Sequence, residues 1–334
     1  METFLLIYIP IYNAENRIKR TLECLNVAIK NFSQRKVRVH IVDNASEDET
    51  VEIVEKFVKL SNGQITLDVN KENIGATLNI FNGLKIDCGQ KYTWMIGDDD
   101  LIPPWSIETL FNLFNELEIK QTKVKFVHVN SLIVSNDAYN NDQVFNLVKE
   151  NKVGGFLMNQ KFKNPTLTNF SQLVDPIVDD SILGAIFCSI FDSKAVRQVA
   201  NSLNFNHVAN SEYKYISFDS CDWFPHAYTF AKTFASNDLC LANPIVSVIS
   251  TIGHQLYWEQ RSPIIGCASF DTLFNFFDNG AISSIEFDDY MQKFLMRHRK
   301  VFSYLIENKI ELLSERKMQA LLKSYAQFTD ANIK

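Results

Sequence analysis

The chain has 334 residues, 46% of them apolar and 26 of them Phe, with a formal net charge of −6. That length and apolar content suit one large α/β domain with an appendage, and the acidic balance excludes the basic footprint of a nucleic-acid binder. The six cysteines show no CxxC spacing, which signals neither a zinc site nor a disulfide framework and suits reduced thiols in a cytoplasmic protein.

Phe4–Ile9 is an apolar run of strand length with no basic segment before it, too short to span a bilayer. Ala14–Asn31 has helical spacing through Ile18, Leu22, Leu25 and Ile29. Val37–Val42 reads as a strand, Glu49–Leu60 as a helix, Ile65–Val69 as a strand, Ala76–Ile86 as a helix and Tyr92–Ile96 as a strand. Apolar strands alternating with helices predict a parallel sheet covered on both faces. Beyond Pro103-Pro104 the pattern gives a helix over Trp105–Leu117 and a strand over Lys125–Val134. Residues 135–180 are rich in Asn and Asp and predict loops and short helices. Gly184–Phe191 reads as a strand, Ser193–Leu203 as a helix capped by Ser193 or Asp192, Cys221–Phe234 as a helix with Pro225 in a first turn, and Leu239–Ser250 as a strand. From about Asp271 the pattern is amphipathic and helical to the end. No run of about 18 apolar residues occurs, so no transmembrane helix is expected.

In such a sheet, ligands bind beyond the carboxyl ends of the strands. Four polar clusters fall there: "YNAEN", "DNASEDE", "NKENIGA" and "GDDD". Each also suits an ordinary turn, and Ser46 or Asp48 suits a helix cap. The last is the most telling, because "WMIGDDDLIP" sets Asp98, Asp99 and Asp100 between two apolar runs. Two carboxylates 4 Å apart repel by about 4 kcal/mol at an effective dielectric of 20. Three together need bulk water, basic partners or a metal ion.

As a set, "IPIYNAENRIKRTLECL", "IVDNASEDET", "NIGATLN" and "GDDD" resemble the family 2 inverting nucleotide-sugar glycosyltransferases. That resemblance implies the GT-A fold, a Rossmann-like, mostly parallel sheet flanked by helices. It covers about the first third of the chain. "NIGATLNIF", Gly-x-Asp-Asp and "FPHAYTF" are more loosely similar to the abequosyltransferase-like branch, which acts on bacterial lipopolysaccharide or related glycans. The domain layout expected is a glycosyltransferase domain over residues 1–260, with a nucleotide-binding half (1–120) and an acceptor-binding half (121–260). A helical extension covers 261–334.

The resemblance carries roles to individual residues. "GDDD" is similar to the metal-binding Asp-x-Asp (DXD) motif, which implies Mn2+ or Mg2+ at Asp99 and Asp100, with Asp98 touching ribose or metal-bound water. Gly97 replaces the motif's first acid. Asp43 is expected to accept from the nucleobase of a UDP- or CDP-type donor, with Pro10 and Tyr12 as an apolar wall and Asn13 and Glu15 in the same pocket. Asn73 and Gly75 would shape the loop near base and ribose, Gly75 through a close approach or a positive φ. A carboxylate must deprotonate the acceptor hydroxyl. In "FDSCDWFPH" that residue is Asp222, with Asp219 as the alternative and a plain helix cap as the structural one. His254 is a candidate for the metal or diphosphate, and His226 for a sugar. Trp223 and Trp258 suit a sugar-stacking platform or core packing.

The implied activity is hexosyl transfer onto a glycan or lipid-linked acceptor in lipopolysaccharide O-antigen or capsule synthesis. The C-terminal helices (Phe287, Met291, Phe294, Leu295, then Arg297–Lys300) suit a peripheral contact with the inner face of the cytoplasmic membrane, a helical cap or a homodimer contact. Three other readings compete. A nucleotidyltransferase wants a Gly-rich, Arg-containing loop after the first strand, and an oxidoreductase wants Gly-x-Gly-x-x-Gly there; both are missing. A catalytically inactive nucleotide-sugar-binding relative stays open.

Overall fold

The computed structural model describes residues 3–34, 36–179, 181–204, 220–251 and 262–298, with Lys317 and Gln319. Asp219, His254 and Trp258 lie outside them.

The first half repeats strand and helix. β1 (Thr3–Ile11) leads to α1 (Ile18–Ile29), β2 (Val37–Asp43) to α2 (Thr50–Leu60), β3 (Ile65–Val69) to α3 (Ala76–Gly83), and β4 (Gln90–Met95) to α4 (Ser106–Ile119). The second half runs through β5 (Phe126–Val134), α5 (Asn136–Tyr139), α6 (Val144–Lys149), β6 (Gly155–Leu157), β7 (Thr166–Asn169) and α7 (Phe170–Leu173). Then come β8 (Ser189–Asp192), α8 (Ser193–Ala200), α9 (Ser220–Trp223), α10 (Pro225–Thr233), β9 (Leu239–Thr251), α11 (Ser262–Asp278) and α12 (Ser284–Arg297).

All nine strands join one sheet in the order β3-β2-β1-β4-β8-β5-β9-β7, with β6 on β5. β1 pairs in parallel with β2 and β4, β2 with β3, and β5 with β9. β8 is antiparallel to both β4 and β5. This is the mostly parallel, GT-A-like sheet that the sequence implied.

Side-chain alternation splits the core between the two faces of the sheet. Leu5, Ile7, Ile9, Val39, Ile41, Trp94, Val127 and Ile190 pack with α1 and α4 on one face. Tyr8, Val42, Met95, Phe126 and Phe191 face the other way, onto an aromatic layer that includes Phe230, Phe270, Phe276 and Phe294. Phe126 sits edge-on to Phe170, Phe230 and Phe234, with centroids 5.3 to 5.5 Å apart.

The structure corrects several sequence expectations. The run expected as a strand from Gly184 begins with a 3-10 turn at Ile186–Cys188, and only Ser189–Asp192 enters the sheet. The helix expected over Cys221–Phe234 is two helices. Phe224 breaks it with φ −129° and ψ 63°, because the residue before a proline avoids the helical region, and Pro225 starts the second. Of the two caps offered for α8, Asp192 is the one used, its Oδ1 accepting from Ala195 N. Glu49 directly precedes α2 without a side-chain cap bond; Asp48, one of the two residues offered as its cap, accepts from Thr50 N through Oδ1 at 3.0 Å. The apolar residues named for α12 are buried: Phe287, Met291, Phe294 and Leu295 belong to the aromatic core, while Ile285 and Met296 of the same helix are exposed. Among the described residues no helix is long and apolar enough to cross a membrane, and no disulfide links the described cysteines.

Candidate active site

The strand ends put the four polar clusters on one rim. Ile11 pairs with Asp43, and Asp43 with Val69, so β1, β2 and β3 end level. Ile96 N donates to Tyr8 O at 3.0 Å, which brings the acid turn after β4 alongside.

Asp43 is fully buried. Its Oδ2 accepts from Ser46 N at 2.8 Å and its Oδ1 from Ser46 Oγ at 2.5 Å. Each carboxylate oxygen has a second lone pair, so Asp43 keeps acceptor capacity for a ligand N–H. Asn44 ties in the loop after β3: its Oδ1 accepts from Asn70 Nδ2 and Ile74 N, each at 3.0 Å, and its Nδ2 donates to Asn73 Oδ1 at 2.8 Å. Asn73 Oδ1 also accepts from Gly75 N at 2.9 Å. Gly75 has φ 85° and ψ 154°, a conformation open to glycine and costly for other residues.

The loop after β1 is tied to the loop after β2. Asn13, left-handed at φ 45°, donates its N–H to Ser46 Oγ at 2.9 Å, and its Oδ1 accepts from Glu47 N at 2.9 Å. Glu15 Oε2 accepts from Glu49 N at 3.1 Å. Asn13 and Glu15 therefore tie the two loops together. Tyr12, 38% exposed, is the residue of this loop with a large apolar face open to solvent.

The acid turn is not a solvated surface feature. Asp98, Asp99 and Asp100 are 8%, 6% and 1% exposed. Arg17 grips Asp98 with two bonds, Nε to Oδ1 at 2.9 Å and Nη2 to Oδ2 at 2.8 Å. Thr21 Oγ1 donates to Asp98 O at 2.8 Å and Tyr139 Oη to Asp99 O at 2.6 Å. Leu101 and Ile249 exchange N–H···O bonds of 2.9 Å, which pins the turn to the end of β9. Gly97 makes the turn possible. A Cβ there would lie 2.8 Å from Asp99 Oδ1 and 3.0 Å from Asp100 Oδ2, so both carboxylates crowd over the bare Cα. Burial, then the charge of Asp99, pushes the Asp100 carboxyl above its ordinary range, against bonds from Gly97 N–H and Ser250. Burial likewise pushes Asp98 up, opposed by Arg17.

These residues fit a hard divalent cation. Asp100 Oδ1 is buried without a hydrogen-bond partner, beside a second carboxylate and in a site that disfavours negative charge. A cation removes all three penalties. No group of three metal-ligating side chains converges among the described residues.

On the acceptor side, Asp222 sits in α9, half-buried, its carbonyl accepting from Thr77 Oγ1 in the first turn of α3. Its Oδ1 lies 3.7 Å from Cys221 Sγ. The contact with α3 places Asp222 next to the helix that follows the Asn73–Gly75 loop. Trp223 is half-buried against Phe224, Ala227 and Ala268, a packing position. His226 is 2% exposed. Its Nε2 lies 3.2 Å from the carbonyls of both Leu183 and Gly184, which only an N–H can satisfy, and burial lowers its pKa to about 4.

Sequence reasoning missed Arg17, Asn44, Ser46 and Tyr139. Arg17 had a signal: three acids on one rim call for a cation, and Arg17 closes the first polar cluster. Tyr139 had none, because it reaches the turn from a loop region without periodicity.

The Glycosyl transferase family 2 model matches residues 6–173, half of the chain, and the match takes in all four rim clusters. The chain belongs to that family and is a glycosyltransferase. Its fold is similar to crystal structures of S. aureus TarS 1–349. With the complex with UDP it shares 15% identity over 98% of this chain and 83% of that chain, at TM-score 0.56. With the complex with UDP-GlcNAc it shares 14% identity over 98% and 80%, at TM-score 0.57. At such identities the likeness is one of fold. No curated protein sequence matches the chain.

Proposed function

We propose that this family 2 enzyme is a metal-dependent, inverting glycosyltransferase. It moves a sugar from a UDP- or CDP-sugar to a hydroxyl of a glycan or lipid-linked saccharide, in assembly of a bacterial surface polysaccharide such as O-antigen or capsule. The observation that carries this reading is the buried acid turn, with Asp100 Oδ1 unpartnered, on the same rim as the buried Asp43 carboxylate. UDP is favoured, since TarS, of similar fold, was crystallised with UDP and UDP-GlcNAc. "FPHAYTF" supports the abequosyltransferase-like branch.

Asp43 accepts the nucleobase N–H, Pro10 and Tyr12 cover the ring, and Asn13 and Glu15 hold that wall. Asn73 and Gly75 border the ribose. Asp99 and Asp100, together with His254, would hold Mn2+ or Mg2+, which when bound would supply positive charge to the leaving diphosphate; Asp98, gripped by Arg17, faces the ribose side. Asp222 takes the proton of the acceptor hydroxyl as that oxygen bonds to the anomeric carbon and the diphosphate oxygen leaves from the opposite face. Trp223 and Trp258 border the acceptor. Residues 1–120 form the donor half and 121–260 the acceptor half, with α11 and α12 packed on the shared core.

The test is hydrolysis of UDP-sugars and transfer from them, with and without Mn2+, in the full chain. Metal-dependent release of UDP supports the reading. Nucleotide binding with neither transfer nor hydrolysis for any donor would make the protein an inactive sugar-nucleotide binder instead.

A further inference from the structure

We infer that Arg17 is a positioning residue that couples nucleotide binding to cation binding. The inference rests on the donor-site reading above and adds a residue that reading does not need.

One guanidinium spans two parts of the site. Its Nε and Nη2 hold both oxygens of Asp98, at 2.9 and 2.8 Å. Its Nη1 donates to Asn13 O at 3.0 Å and its Nη2 to Tyr12 O at 3.2 Å. The first pair fixes the acid turn; the second fixes the loop proposed to cover the nucleobase. A planar fork makes such a link and a lysine ammonium does not. The pair is shielded, with side-chain exposures of 29% for Arg17 and 12% for Asp98.

Two consequences follow from the geometry. Arg17 already neutralises Asp98 and its positive charge repels a cation there, so the cation falls to Asp99 and Asp100, whose oxygens crowd over Gly97. Any shift of the turn as it closes on a cation is carried through Asp98 and Arg17 to the carbonyls of Tyr12 and Asn13. A nucleotide under Tyr12 steadies the same strut from the other end. Each ligand therefore meets a site the other has already ordered, which is positive coupling.

The experiment is calorimetric titration of UDP into the full chain, with and without saturating Mn2+, for wild type, Arg17→Gln, Asp98→Asn and the double variant. Wild type should bind UDP more tightly with Mn2+. Each single variant should cut that tightening by about tenfold, and the double variant no further, because all three break one strut. Arg17→Lys, which keeps the charge and loses the fork, should behave as Arg17→Gln and replaces it if that variant does not fold. Single variants that keep the wild-type Mn2+ effect, or losses that add in the double variant, would overturn the role of Arg17 alone. Wild type without metal-tightened binding of UDP, CDP or GDP would overturn this inference together with the donor-site reading.

Discussion

The half proposed to bind the donor and the half proposed to bind the acceptor are built in different ways. In the donor half, four parallel strand ends present four short loops, and the loops bond to one another: Asn13 to Ser46 and Glu47, Asn44 to Asn70 and Asn73, Arg17 to Asp98. Polar side chains there hold a rim whose acceptors, Asp43 and Asp100, keep capacity for a ligand. In the acceptor half, polar side chains hold the chain to itself. Asp179 accepts from Ser181 N, Ser181 Oγ and Ala185 N, closing a turn in which Ile182 and Leu183 are left-handed at φ 56° and 62°. The Leu183 carbonyl then meets His226. A β-branched residue in that region is strained and persists only where its surroundings over-determine it. A nucleotide diphosphate is a fixed target that a regular rim can meet, and the irregular half is where acceptor choice can vary.

Substitutions can break this contrast at points of decreasing effect. Asp222→Asn should leave UDP binding intact and lower transfer by about 10²- to 10⁴-fold, the span a general base contributes; a variant with full turnover would remove Asp222 from the mechanism. Asp99→Ala should weaken Mn2+-dependent UDP binding by about a hundredfold, read by calorimetry, with metal-free binding much less changed. Gly97→Ala drives a methyl into Asp99 Oδ1 and Asp100 Oδ2. It should lower stability by about 1–3 kcal/mol and shrink the rise in Tm on adding Mn2+.

The smallest effect belongs to the acceptor half. His226 is held near pKa 4 by burial and His128 near 3. An unfolded histidine titrates near 6.5, so between those values the unfolded chain binds more protons than the native one. The stabilising contribution is complete above about pH 6.5 and is lost as pH falls towards the folded values. Urea melts across that window should show this slope, and His226→Gln should flatten it.

How far the sequence reads follows the same division. The helix and strand periods over the first 134 residues locate β1 to β5 and α1 to α4, with ends that move by a few residues. Helix α1 starts at Ile18, not Ala14: the N–H groups of Ala14 and Glu15 go to Thr50 and Asp48, and Arg17 N closes a turn onto Ala14 O at 3.0 Å. The rim was legible as four polar clusters at strand ends. Its internal links were not, since Arg17 with Asp98 and Tyr139 with Asp99 join residues 81 and 40 positions apart. In the acceptor half, β6, β7 and α7 span three or four residues each, too short for a period to show. The aromatic spacing of α12 was read correctly as amphipathic, but amphipathicity alone does not say what covers the face, and here it is the sheet's own core.

The measurement that bears most directly on the whole account is calorimetric titration of UDP, CDP and GDP into the wild-type chain, each with and without Mn2+. The account predicts that UDP, or failing that CDP, binds tightly with metal and at least about tenfold more weakly without it. Binding of no nucleotide under either condition would contradict it and leave the buried acid turn as a structural device of a family 2 fold.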